Sequence, residues 1–77
     1  MYRLIQGQES EQKIDILLEF TRIDSVNKIQ ALKLHLVKGA PATMAYGAFD
    51  VKQQNFYSTL KAINKVYDIH ERLNNIS

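Results

Sequence analysis

The stretch Ala42-Thr43-Met44-Ala45-Tyr46-Gly47-Ala48-Phe49-Asp50-Val51-Lys52-Gln53-Gln54-Asn55-Phe56-Tyr57-Ser58-Thr59-Leu60 decides the fold. Its first part is rich in small residues, which lets a second helix approach closely. Pro41 stands just before it, where a fixed φ and a missing N–H suit a first turn. A helix is predicted over about Ala42 to Phe49. Asp50-Val51 reads as the turn, with Asp50 as N-cap of the next helix. From Val51 onward, Phe56, Leu60, Ile63, Tyr67 and His70 recur at spacings of three and four, with Thr59, Ala62, Val66, Ile69 and Leu73 beside them. This is helical periodicity, and it carries the last helix to Leu73 or Asn74. Two helices on a short turn, the first small-residue-rich and the second polar and basic at its start, form the helix-turn-helix pattern. Ala45 and Ala48 supply the close approach; Phe49, Val51, Phe56 and Leu60 lock the crossing. Two residues depart from the usual pattern: Asp50 stands where the turn has glycine, and Tyr46 where a small residue is usual.

The solvent face of the second helix offers Lys52, Gln53, Gln54, Tyr57, Ser58 and Lys61. Lysine neutralises phosphate, glutamine pairs with base edges, and tyrosine and serine hydrogen-bond phosphate or sugar. Together with Thr43 in the first helix, these are the candidate DNA-contacting residues. The plain alternative is an αα-hairpin with a polar outer face.

Upstream, two more helices are expected. Ile14, Leu17 and Leu18 recur at helical spacing, with Ile16, Phe20 and Thr21 nearby, and Ser10 can cap them, giving a helix over about Ser10 to Phe20. A second runs from about Val26 to Val37, capped by Asp24 or Ser25. Its inner face is Val26, Ile29, Leu32 or Lys33, Leu36 and Val37, and it is stopped by Lys38-Gly39 with Gly39 in the left-handed conformation. Leu34 falls off that face, as a lone exposed leucine or a partner contact. Residues 1–9 form either a short strand or a flexible arm. The expected fold is all-α: a single small four-helix domain over residues 1–77 containing a helix-turn-helix.

Composition narrows the function classes. The chain has 77 residues and no cysteine, so disulfides and thiolate metal sites are excluded and its thin core needs tight packing or a partner chain. Hydrophobic residues are 45% and charged residues 23%, which suits a globular protein and not a disordered one. No apolar run approaches a membrane span, and the start lacks the apolar core of a signal peptide. A cytoplasmic protein, nucleoid-associated when on DNA, is expected. The net charge of +2 hides an asymmetry: residues 1–24 carry three basic groups against five acidic, and residues 25–77 seven against three. That suits a polyanion on one face; the plain reading is a solvated helix face.

Catalytic chemistry finds no footing. His35 and His70 lie on different helices and no paired ligands supply a metal clamp. Ser58 has no histidine–acid partnership. Asp15 and Glu19 read as a solvated pair, and the glycines at 7, 39 and 47 make no phosphate loop. Neither an enzyme, a cofactor, a metal nor a small-molecule ligand is expected. The seam of Val66, Ile69, Leu73 and Ile76 lies beyond what DNA contact needs. It either packs back on the first helix or joins copies; with Leu34, it is the candidate oligomerisation surface.

The stretch Phe49 to Leu60 resembles the recognition segment of the adhesin-biosynthesis transcription regulators of the Pap-pilus type, encoded in fimbrial operons of enteric bacteria. The resemblance runs from about Gly7 to Leu73. It includes Ser10-Glu11, Leu17-Leu18, Ile23, Ser25, Ala31-Leu32-Lys33 and most specifically Leu36-Val37-Lys38-Gly39 and Phe56-Tyr57-Ser58-Thr59-Leu60. It implies a helix-turn-helix regulator that binds AT-rich double-stranded DNA as a dimer or higher homo-oligomer, with Lys52, Gln53, Gln54, Tyr57 and Ser58 on the DNA. A plasmid-repressor family of the incompatibility-group type shares the Leu36-Val37, Gly39 and Pro41 run and is the nearest competitor. A helical protein-interaction module without DNA binding is the other alternative.

Overall fold

The computed structural model describes residues 2–76; Met1 of the expected arm and Ser77 of the expected domain lie outside them. Four helices follow in order: α1 Glu11–Leu18, α2 Val26–Leu36, α3 Ala42–Ala48 and α4 Gln53–Asn74. There is no strand among the described residues, so the fold is all-α as expected. The 22 residues of α4 span about 33 Å, and α1, α2 and α3 pack along it.

The helix starts follow local chemistry. Ser10 Oγ accepts the Lys13 N–H at 3.1 Å and Ser25 Oγ accepts the Lys28 N–H at 3.4 Å, each satisfying a donor the helix cannot. Between these two caps, α1 ends at Leu18, two residues before the expected end, because the chain tightens there: the Phe20 and Thr21 N–H groups reach back only to Leu17 and Leu18. At the end of α2, Gly39 takes φ +86° and the Ala40 N–H returns to the Leu34 carbonyl at 3.1 Å. This is the left-handed stop expected from its glycine.

The core is Leu4, Ile14, Leu17, Ala31, Leu32, Leu36, Ala45, Phe56 and Ile63. Three packing expectations need correction. Val26 is exposed, being the first residue of its helix, and Ala31 is buried instead. Leu34 is half-buried against the core and not off the inner face. In α3 only Ala45 is buried; Ala48 is exposed, so one alanine provides the close approach.

The N-terminal segment is neither a strand nor a free arm. It runs extended across α4, where the Tyr2 N–H donates to Asp68 Oδ1 at 2.9 Å and the Leu4 N–H to Asn64 Oδ1 at 2.7 Å. Amides two residues apart on an extended chain repeat about every 6–7 Å, and side chains four apart on a helix about every 6 Å. The two periods match, so two helix side chains stand in for a neighbouring strand. The Leu4 side chain, at the second anchor, is buried. The segment then turns at Gly7, φ +72°, against Gly39: a Cβ on Gly7 would lie 3.0 Å from the Gly39 Cα. The Gly7 and Glu9 N–H groups donate to the His35 and Leu36 carbonyls, which ties the segment to the end of α2.

Candidate nucleic-acid interface

The joint between α3 and α4 is built by its backbone. Asp50 takes φ +54°, a left-handed conformation that glycine adopts freely and that Asp tolerates better than most residues. The Val51 N–H donates to the Tyr46 carbonyl at 2.9 Å and the Asp50 N–H to the Gly47 carbonyl at 3.4 Å. Those two bonds are the Schellman closure of a helix end. Asp50 is therefore the turn residue of the motif and not the N-cap expected of it. The N-cap position is Lys52, without a side-chain cap bond.

Tyr46 has a defined place too. Its ring lies 5.5 Å from that of Phe56 and 6.3 Å from that of Tyr57, and His35 meets Phe56 edge-on at 5.6 Å. These are favourable aromatic separations. Phe56 is 1% exposed, so the first turn of α4 is anchored by one buried ring beneath three others. His35 is fixed in turn: its Nδ1 lies 2.8 Å from the Ala40 carbonyl, which requires Nδ1–H as donor. His35 is thus a structural side chain, as is His70, whose ring rests on Phe20 at 4.5 Å.

Above this anchor, Lys52, Gln53, Gln54, Tyr57, Ser58 and Lys61 are all exposed along the start of α4, and Thr43 is exposed on the first turn of α3. The oligomerisation candidates divide. Leu34 and Val66 are half-buried against the chain's own core, while Ile69 is 39% and Leu73 60% exposed. The distal half of α4 is occupied within the monomer on one side, by the N-terminal segment and by Phe20 and Lys13.

Electrostatics sorts the cations. Lys33 bridges Asp15 at 2.7 Å and Glu11 at 3.3 Å; the Asp15 bond, chiefly, raises its pKa against desolvation. Lys13 sits 2.8 Å from Glu9 and 4.4 Å above the Tyr67 ring; burial opposes its charge, yet these contacts raise its pKa. Both lysines hold α1 in place. Lys52, Lys61, Lys65 and Arg3 have no carboxylate within ion-pair distance among the described residues. The acidic first helix is thus partly neutralised internally; the cations unpaired among the described residues are Lys52, Lys61, Lys65 and Arg3 on and beside α4, together with Arg22, Lys28 and Lys38 elsewhere. Among the described residues no group of His, Asp and Glu side chains could hold a metal, and no helix is long and apolar enough to cross a membrane.

No protein-family model and no curated protein matches the sequence. Among solved structures, the fold is similar to that of E. coli FocB, with a TM-score of 0.86 and 25% sequence identity, over 94% of this chain and 82% of that one. FocB is a fimbrial-operon regulator. The likeness fits a helix-turn-helix domain and supports a transcription-regulator role.

Proposed function

We propose that the chain is a DNA-binding transcription regulator of a bacterial fimbrial or adhesin operon. It inserts the start of α4 into a groove of AT-rich duplex DNA and works as a homo-oligomer in the cytoplasm. The observation that carries this reading is the α3–turn–α4 unit. An anchored aromatic floor (Tyr46, Phe56) carries an exposed row of Lys52, Gln53, Gln54, Tyr57, Ser58 and Lys61. In this reading Lys52 and Lys61 neutralise phosphates, Gln53 and Gln54 face base edges, and Tyr57, Ser58 and Thr43 hydrogen-bond the backbone. A preference for A·T would come from groove width and deformability more than from a base code. Ile69 and Leu73 supply exposed apolar surface for a second copy, and paired copies gain affinity by binding together.

The test is a mobility shift on AT-rich and GC-rich duplexes of equal length, at low and physiological salt. The expected shifts are stronger on AT-rich DNA and weaken steeply with salt. No shift on either duplex at low salt overturns this function and leaves the protein-interaction module.

A further inference from the structure

The basic face of α4 does not end where the helix-turn-helix does. Gln54, Ser58, Lys61, Lys65 and Arg72 are exposed at successive spacings of four, three, four and seven residues, the repeat of one straight stripe on an α-helix. Beside the distal half of this stripe lies an open groove of about 720 Å³ lined by Tyr57, Lys61, Asn64, Lys65, Asp68 and others. Arg3 reaches the same groove from the N-terminal segment. It sits between the two anchored amides of Tyr2 and Leu4, so its backbone is held at α4 by both neighbours. The one carboxylate in the groove, Asp68, is committed: Oδ1 accepts the Tyr2 N–H and Oδ2 the Arg72 Nε–H at 3.1 Å. Arg3, Lys61 and Lys65 keep their charge uncompensated among the described residues.

From this geometry we infer a second contact surface for the DNA phosphodiester backbone, made by Arg3 and Lys65 as a continuation of Lys61. The inference rests on the proposed DNA-binding function and extends it beyond the recognition turn. Lys65 lies twelve positions after Gln53, about 18 Å along the helix, comparable with the width of a duplex. A helix tip in a groove therefore leaves Lys65 and Arg3 over the flanking backbone. Such contacts position the protein and read no sequence. The N-terminal segment gains a purpose: it brings a remote arginine to the recognition helix.

The test is the double variant Arg3→Gln/Lys65→Gln in the full chain, with Gln54→Ala as comparator, titrated on both duplexes over a range of salt. Both replaced residues are exposed, and circular dichroism checks that helicity is kept. The slope of log affinity against log salt is expected to become less negative by about 1.8, that is about 0.9 for each phosphate no longer neutralised, equally on both duplexes. Gln54→Ala is expected to change the ratio between duplexes and leave the slope alone. An unchanged slope in the double variant, with wild-type binding intact, overturns the second surface and spares the recognition turn. A fall in sedimentation mass with no change of slope overturns it in favour of an interface between copies. Failure of the wild-type chain to bind either duplex overturns both.

Discussion

The Tyr2 N–H donates to the Asp68 carboxylate across 66 residues of chain, and this bond is the main cause that lowers the Asp68 pKa, ahead of the Arg72 guanidinium. A carboxylate with a lowered folded-state pKa adds stability that is complete above its unfolded value of about 3.9 and is lost as pH falls through the folded value. The Tyr2 amide is expected to be protected from hydrogen exchange at neutral pH and to lose protection in acid before the amides of α2 do. Asp68→Ala should remove that protection at every pH. Tyr2 protection that survives in the variant would contradict the clamp.

The clamp has an apolar half. Leu4→Ala removes a side chain that is 8% exposed and is expected to cost about 2–3 kcal/mol. Asn64→Ala leaves the Leu4 N–H without its 2.7 Å partner, at about 1 kcal/mol. Urea denaturation of both variants measures this. Because both act through one segment, the double variant should lose less than the two losses added.

The three glycines separate by environment. Gly7→Ala is expected to be the most damaging, since φ is +72° and the new Cβ meets the Gly39 backbone at 3.0 Å. Gly39→Ala keeps 3.5 Å to Gly7 and meets mainly the left-handed penalty of about 1–2 kcal/mol. Gly47 is inside α3 with nothing within 4 Å of a Cβ, so Gly47→Ala should stabilise by about 0.5–1 kcal/mol. Thermal unfolding of the three variants should rank them in that order, with opposite signs at the ends.

Asp50 carries strain at the turn, with its φ of +54°. Asp50→Gly relieves it and is expected to stabilise by up to about 1 kcal/mol, while Asp50→Val should destabilise. Removing a carboxylate two residues from Lys52 should also tighten DNA binding. A glycine variant that unfolds more easily than the natural chain would contradict the assignment of Asp50 as the turn residue.

Much of this architecture was legible in the residues themselves. Ser10, Ser25 and Gly39 announce helix ends because capping is local chemistry. The stripe from Phe56 to His70 announces α4 because burial imposes period. The N-terminal segment was illegible: Tyr2 and Leu4 find their partners at Asp68 and Asn64, at the far end of the sequence, and nothing local marks an asparagine as an acceptor for a distant amide. Asp50 and Tyr46 looked like departures from the motif, since its usual residues are small or glycine. The fold accommodates both, one through a tolerated left-handed φ and the other through a ring beside Phe56. The distal part of α4 is not pure surplus, for the same long-range reason: α1 and the N-terminal segment already lie on it.

The candidate site was legible as a row of residue types and only in part as a surface. Lys52, Gln53, Gln54, Tyr57, Ser58 and Lys61 share exposure as their spacing implied. That Lys33 is committed to Asp15 and Glu11, and that Arg3 joins the α4 groove, depends on tertiary neighbours.

The central claim is that the start of α4 holds DNA through Lys52 and Lys61. Fluorescence anisotropy of a labelled AT-rich duplex, titrated with the natural chain and with Lys52→Glu/Lys61→Glu, measures it most directly. Both lysines are exposed, so helicity should be unchanged. The variant is expected to bind at least about tenfold more weakly; undiminished binding by a folded variant would contradict the claim.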